Sequence, residues 1–410
     1  LGKIDLAFED LGERTLKNIA GPVRAYRWQD GGAATRKDPE PDSAKAPIVG
    51  KPSIVVLPFD NFSNDPDQEF FSDGISEDLI TDLSKLSNLF VISRNTAFTY
   101  KGRSVDVGEI GRKLGVAHVL EGSVRKAGNR VRINAQLIET ATGGHVWADR
   151  YDGSLDDIFA LQDAITEKIV AALRVNLTAR ESVQPRRHVT DNVEAYELYL
   201  RGRAEWHRLD PEGTLAAVHL LRDAIGIDPE FAAAYALLSG ALQHGWTFAF
   251  PGFDEAFGQM LDAAQRAVEL DDGLALAHAR LGWALIFHDR YDEAIASFER
   301  AVALGPFDAE THLWFTEALN FAGDPARGAQ MGARAFELEP GAPGVFYLCV
   351  GHSHYLLRDY DRAVELLTGA IARTPGFPLP YLLLGIVYFE MGRIDDAAGQ
   401  FGRLYDSLPP

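Results

Sequence analysis

Hydrophobic and polar residues alternate strictly from Val131 to Leu137. Val131, Ile133, Ala135 and Leu137 are apolar, and Arg132, Asn134 and Gln136 lie between them. A period of two sends the first set to a buried face and the second toward water, so a half-buried strand is predicted. Ala127-Gly128-Asn129 before it and Thr142-Gly143-Gly144 after it supply turns, since glycine takes positive φ without steric cost. A further strand is predicted from His145 to Tyr151, with Trp147 at its middle. Val116 to Arg150 thus reads as three consecutive antiparallel strands.

The flanking patterns extend this into an α/β domain over residues 52–178. Ser53 to Phe59 (SIVVLPF) is a short continuous apolar run, as in a strand buried on both faces. From Asp73 to Leu86 the residues Ile75, Leu79, Ile80, Leu83 and Leu86 make one helical stripe. Asp73, Glu77 and Asp78 fall in its first turns, where the helix dipole favours negative charge. Phe90 to Ser93 reads as a strand, and Val105 to Leu114 as a helix stopped at Gly115. Ser154-Leu155-Asp156-Asp157 is a capping-box pattern. Behind it Ile158, Leu161, Ile165, Ile169, Ala172 and Leu173 recur at helical spacing up to Leu177. The order β-α-β-α-β-β-β-α packs most simply as one mixed sheet with helices against it.

After a linker over residues 179–192, strand signals vanish from Val193 onward. Pro306 and Pro340 are 34 residues apart, as are Pro375 and Pro409, and Pro340 to Pro375 is 35. That period marks the tetratricopeptide repeat, a helix-turn-helix unit that stacks into an all-α solenoid. Leu281-Gly282, Ala294, Phe298 and Ala301 before Pro306 are echoed by Leu384-Gly385, Ala397 and Phe401 before Pro409. Residues 193–410 are read as about six units, the second carrying an insertion, HGWTFAFPGF, from His244 to Phe253. Its aromatic residues suit either a contact surface or packing over a neighbouring helix. The array ends without a polar capping helix, so it is expected to continue past Pro410 or to dock there on a partner.

Composition narrows the function classes. A formal charge of −19 offers no basic footprint for nucleic acid. Cys349 is the only cysteine, so no disulfide within the chain can form, which fits a reducing, cytoplasmic setting. No run of 18 apolar residues marks a membrane span. The chain starts at Leu1, without an initiator methionine or signal peptide, and is expected to begin inside a longer protein. No phosphate loop, dinucleotide-binding glycine motif, nucleophile elbow or zinc-ligand set occurs, so no catalytic, cofactor-binding or metal residue is assigned in this chain. His352 and His354 are two apart and do not share a helix face. Asp65, Asp67, Glu69, Asp73, Glu77 and Asp78 lack the turn glycine and closing glutamate of a calcium loop, and are expected to be a solvated loop entering a helix. Arg125, Arg130 and Arg132, around a hairpin, are expected to pair across strands with Glu121 and Glu139.

Three resemblances add to this. Asp10 to Trp28 contains DLGE, LKNI and PVRAYRW, and resembles the extreme C-terminal end of class III adenylate/guanylate cyclase domains. Residues 1–28 cannot bury a core alone, and residues 29–51, rich in glycine, proline and charge, read as a linker. Ile54 to Phe59, Phe70 to Glu77, Val91 to Arg94, Leu120 to Val124, Val131 to Ile133, Gln136 to Ile138, Trp147 to Tyr151 and Phe159 to Gln162 resemble, in order, the TolB-like amino-terminal domain of bacterial signalling proteins. That family is an interaction or sensing module. The repeat family binds extended peptides or partner helices along its first helices. By that resemblance the groove residues are Trp283 and Ile286, Glu317 and Asn320, His352 and Tyr355, and Ile386 and Phe389. The lysine and asparagine set that clamps a terminal carboxylate is not matched.

These resemblances imply the non-catalytic regulatory and protein-interaction portion of a bacterial adenylate cyclase. Its partners would be a protein or peptide in the groove and an upstream cyclase domain. Magnesium or manganese is expected only in that upstream domain. The alternatives are a stand-alone repeat scaffold, or the regulatory part of a transcription regulator or kinase.

Overall fold

The computed structural model describes residues 8–14, 23–28, 52–63, 65–86, 88–173, 175 and 189–407. The linker expected over 29–51, residues 179–188 of that over 179–192, the LKNI stretch and the final Leu408-Pro409-Pro410 lie outside the described residues. Residues Leu1–Ala44 form one compact unit and Lys45–Pro410 another. In the first unit, β1 (Phe8–Arg14) pairs antiparallel with β2 (Val23–Trp28), Phe8 opposite Trp28 and Arg14 opposite Val23.

The second unit opens with a mixed sheet. Its strands are β3 (Ser53–Val56), β4 (Asp60–Asn61), β5 (Phe90–Val91), β6 (His118–Ala127), β7 (Arg130–Glu139) and β8 (His145–Ser154). Their order is β5-β3-β6-β7-β8, with β4 also beside β6. β3 is parallel to β5 and β6, whereas β6, β7 and β8 form an antiparallel meander. All four residues of β3 are buried, which is why its sequence does not alternate. In β7, Val131, Ile133, Ala135 and Leu137 are buried as their alternation requires. The helices are α1 (Glu69–Ser84), α2 (Arg94–Phe98), α3 (Val107–Leu114) and α4 (Ile158–Ala172). Phe71, Ile75, Leu79 and Leu83 of α1 join Ile158, Ile165 and Ile169 of α4 in one core with the sheet. The Ser154/Asp157 capping box forms ahead of α4, and Gly115 ends α3 in the left-handed region at φ 68°.

Several boundaries differ from the sequence reading. α1 begins at Glu69, one turn before Asp73, because a 3-10 turn at Pro66–Gln68, capped by Asp65, leads into it. Asp73, Glu77 and Asp78 therefore lie inside the helix, not at its dipole-favoured start. The strand expected over Phe90–Ser93 stops at Val91, since Ser93 precedes the short helix α2. The third meander strand runs on to Ser154. The hairpin arginines find a different partner. Arg132 and Arg150 meet Asp152 at 2.5 and 3.0 Å, and Arg125 Nε donates to the Phe62 carbonyl at 3.0 Å. Glu121 instead accepts from Gln136, and Glu139 from Thr142.

Twelve helices follow as six antiparallel pairs: α5 (Val193–Trp206) with α6 (Pro211–Ile227), α7 (Ala232–Thr247) with α8 (Ala256–Leu270), α9 (Ala275–Phe287) with α10 (Tyr291–Leu304), α11 (Ala309–Phe321) with α12 (Pro325–Leu338), α13 (Gly344–Leu356) with α14 (Tyr360–Arg373), and α15 (Pro378–Glu390) with α16 (Ile394–Ser407). Close approach within a pair depends on small residues. A Cβ on Gly282 would lie 2.7 Å from the Phe298 ring, and one on Gly385 would lie 2.5 Å from the Phe401 ring.

Each pair turns through a left-handed residue: Leu209, Ala249, Asp289, Gly323, Arg358 and Gly392, with φ between 51° and 83°, and the longer second turn adds Gly252 at φ 88°. Four of these seven are not glycine, so the turns carry strain. Leu209 is exposed and loses no packing on truncation. Leu209→Gly should therefore stabilise the array by about 0.5–1 kcal/mol, and Gly323→Ala should destabilise it by about 1 kcal/mol. Urea unfolding followed by circular dichroism reads both shifts.

Candidate partner-binding site

The two helices of a pair live in different surroundings. α9 buries residues around most of its circumference, among them Ala277, Ala279, Arg280, Trp283, Ala284, Leu285 and Ile286. α10 buries only Ala294, Phe298 and Ala301, a single stripe. First helices pack against their own partners and against the first helices of neighbouring pairs, as α7 with α9 and α11 with α13. An all-round apolar helix is an interior helix, and a striped one is a surface helix.

This arrangement sorts the eight residues expected in the groove. Trp283 and Ile286 are buried, with 8% and 6% of their surface exposed. Trp283 packs its ring 4.9 Å from Trp314 and 5.6 Å from Phe287, in the core that also holds Ile286, Phe298 and Phe315. Asn320 is likewise buried, for a polar reason. Its Nδ2 donates to Glu317 Oε2 at 3.0 Å and to the Cys349 carbonyl at 3.1 Å, while its Oδ1 accepts from Ser353 Oγ at 2.8 Å. Glu317 Oε1 lies 2.9 Å from His352 Nδ1 across the α11–α13 seam. His352 stacks on Tyr355, rings 6.5 Å apart, and Tyr355 meets Tyr360 at 6.4 Å. Burial, with help from Glu390, pushes the Tyr355 phenol above its ordinary range. Glu317, Asn320, His352 and Tyr355 thus form one cluster. Ile386 is half-buried on the last pair, and Phe389 is 60% exposed.

Sequence reading missed the apolar residues beside this cluster. Phe321, Leu356 and Leu357 are exposed at or just past the ends of α11 and α13, and the Phe321 ring sits 6.0 Å from His352. The signal was available one residue beyond the positions chosen, where first helices end on Phe287, Phe321 and Leu356. Cys349 lies under the cluster. Its thiol is fully desolvated and held well above the ordinary range, so it stays protonated and inert. In the insertion, Trp246 packs on Phe257 and Phe287 at 5.0 and 5.4 Å and Phe253 is buried, whereas Phe248 is exposed. Trp246 and Phe253 of the insertion thus serve packing, and Phe248 faces outward.

The acidic stretch divides: Asp65 and Asp67 are exposed in the loop entering α1, whereas Glu77 and Asp78 are structural. Glu77 is buried, and Asp78 keeps only 15% of its side-chain surface. Arg203 of α5 binds Glu77 Oε2 at 2.8 Å, Asp78 Oδ1 at 2.9 Å and the Gly74 carbonyl at 3.0 Å. Arg94 adds 2.6 Å to Glu77 Oε1, and Tyr196 and Gln162 donate to Asp78 Oδ2. Burial opposes the charge of Glu77, yet Arg203, His207 and Arg94 hold its carboxyl far below the usual range. Gly74 makes the joint possible, since a Cβ there would stand 2.7 Å from Leu200. Among the described residues no three acidic, histidine or cysteine side chains gather as a metal site.

Models of the tetratricopeptide repeat match residues 275–308 and 355–404. A protein of Rhizobium meliloti (strain 1021) named "Putative adenylate cyclase 3" is 45% identical over 299 residues. The match covers 72% of this chain and 50% of that protein, so the chain spans about half the length of this relative. Similar solved structures include PilW, a type IV pilus biogenesis factor, at 15% identity over 52% of this chain and 93% of that one, with a TM-score of 0.43. A tetratricopeptide repeat protein of Parabacteroides merdae ATCC 43184 has 13% identity over 53% and 82%, with a TM-score of 0.39. YrrB, described as a TPR protein with an unusual peptide-binding site, has 20% identity over 46% and 92%, with a TM-score of 0.33. The array is a tetratricopeptide-like helical repeat array, and among the described residues no helix is long and apolar enough to cross a membrane.

Trp283→Ala should cost about 3–5 kcal/mol, the usual loss for a buried large aromatic, whereas Phe389→Ala should stay within about 0.5 kcal/mol. Arg203→Met should cost about 3–5 kcal/mol, because it leaves the buried Asp78 without a cation and Glu77 with Arg94 alone. Thermal and denaturant unfolding of the three variants checks the order.

Proposed function

We propose that this chain is the non-catalytic, partner-receiving portion of a class III adenylate cyclase system. Its α/β domain would be a TolB-like module, and its repeat array would receive a protein or peptide. The observation that carries the reading is the 45% identity, over 299 residues, to a protein named as an adenylate cyclase. The cyclase-like series over Asp10 to Trp28 supports it independently. In this reading cyclic AMP is made from ATP by a domain upstream of Leu1, with magnesium or manganese held there, in the cytoplasm. The residues of this chain then do two things. Phe321, Tyr355, Leu356 and Phe389 offer apolar and aromatic surface to a partner segment, and the Glu317–His352 pair beside them offers polar contacts. The Arg203 joint passes the orientation of the array to the α/β domain, because neither can shift without separating buried charges.

The purified chain, incubated with ATP and either magnesium or manganese, should form no cyclic AMP above the buffer control, and clear turnover would overturn the division of labour. In the longer protein, changing Phe321, Tyr355 and Phe389 together to alanine should leave the fold intact and alter cyclic AMP output at least twofold in cell extract. Unchanged output would remove the array from the control of the enzyme.

A further inference from the structure

The repeat array touches the α/β domain at two separated places, and the chemistry of the two is opposite. At the first pair the contact is Arg203 with Glu77 and Asp78, with cation and anion matched. The second contact is made by the linkers that follow α10 and α12. Phe307 meets Phe90 of the edge strand β5 edge-to-face, rings 6.2 Å apart. Glu339, at the C-terminal end of α12, reaches the hydroxyls of Ser93 and Thr96, and the Gly341 N–H donates to Thr96 Oγ1 at 3.3 Å. Glu339 is only 1% exposed.

No cation among the described residues pairs with Glu339. On the α/β side Arg94 follows Ser93 in the chain, but its guanidinium is drawn to Glu77 at 2.6 Å. From α11 and the linker before it come Asp308 and Glu310, both acidic, and His312, whose burial lowers its imidazole below the ordinary range and whose ring is bonded to the Asp308 carbonyl. On α12 itself, Arg334 pairs with Glu337 at 2.7 Å and lies over the Phe307 ring at 5.8 Å. The first turn of α13 carries no charge. The C-terminal end of α12 also presents the negative pole of its dipole to this carboxyl. Hydroxyls can accept as well as donate, so Ser93 and Thr96 serve a neutral carboxyl as readily as a charged one.

We propose that Glu339 is a proton-operated latch: while its carboxyl is protonated the array stays closed on the α/β domain at Ser93 and Thr96, and its ionisation releases that contact while the first pair remains docked through Arg203. Burial, reinforced by Asp308 and Glu310, raises this carboxyl to about 7 in the closed form, against hydrogen bonds from Ser93 and Thr96. A carboxyl released to water titrates in the ordinary range, so closing takes up a proton. The closing equilibrium is therefore greatest at low pH and falls about tenfold per unit between roughly pH 5 and 7. The latch stands whether or not the chain serves a cyclase.

The test uses the whole chain with spin labels at Ser104→Cys and Ala333→Cys, both exposed positions, one in each partner of the contact. Double electron–electron resonance between pH 5 and 8 should show one short distance at pH 5 and a growing longer component as pH rises. Glu339→Gln, which stays neutral, should keep the short distance at every pH. Thr96→Val, which keeps the side-chain shape without the hydroxyl, should show the longer component already at pH 5. A wild-type distance that does not change with pH, or a Glu339→Gln profile that matches wild type, would overturn the latch.

Discussion

One guanidinium fixes the geometry of the larger unit. Arg203 sits on the first helix of the array and spends its donors on Glu77, Asp78 and the Gly74 carbonyl, all on α1. Removing such charges from water costs several kcal/mol each, and only complete pairing offsets it. Here the pairing is complete: Arg94 takes the second oxygen of Glu77, and Tyr196 with Gln162 takes the second oxygen of Asp78. The joint therefore has one low-energy arrangement. Every later helix pair inherits its position from α5, because each first helix packs on the next.

The same inheritance limits where a partner can bind. A first helix wedged between its own partner and two neighbours has little surface left, which is why Trp283, Ile286 and Asn320 lie inside. Free surface reappears where the helices end, at Phe321, Leu356 and Phe389. The polar cluster of Glu317, Asn320, His352 and Ser353 ties α11 to α13 and gives this edge a fixed shape. A surface that is apolar at its rim and held rigid from behind suits recognition of a short apolar segment, since little ordering cost falls on the protein.

How much was legible in the residues follows from range. The β7 alternation, the capping box at Ser154, the glycine stop at Gly115 and the proline period are local patterns, and local patterns survive folding. The start of α1 was misplaced because Pro66 and Asp65 build a turn whose continuation into helix has no periodic signature. Glu77 and Asp78 looked solvated because their partner, Arg203, lies 125 residues beyond Asp78 in sequence. Charge counts along the chain cannot reveal such a pairing. The Glu339 contact spans 246 residues to Ser93 and leaves no local trace at all. For the groove positions the repeat pattern gives the helix and its register, but not which arc of an interior helix is still uncovered.

Glu77 and Glu339 are the same side chain at two contacts between the same two domains, and their surroundings drive them apart. Glu77 has Arg203 and Arg94 within 2.8 Å, so charge is its stable state and separation would strand three ions. Glu339 has two hydroxyls, the negative end of a helix and acidic neighbours, so charge is what its burial resists. Strength against opening therefore lies at the first pair, and sensitivity to conditions lies at the linkers after the third and fourth. A chain held firmly at one end of its array and conditionally further along can swing about the firm joint. The two linkers of the conditional contact lead directly into α11 and α13, the helices whose far ends carry Phe321 and Leu356, so the contact and the exposed apolar ends lie at opposite ends of the same two helices.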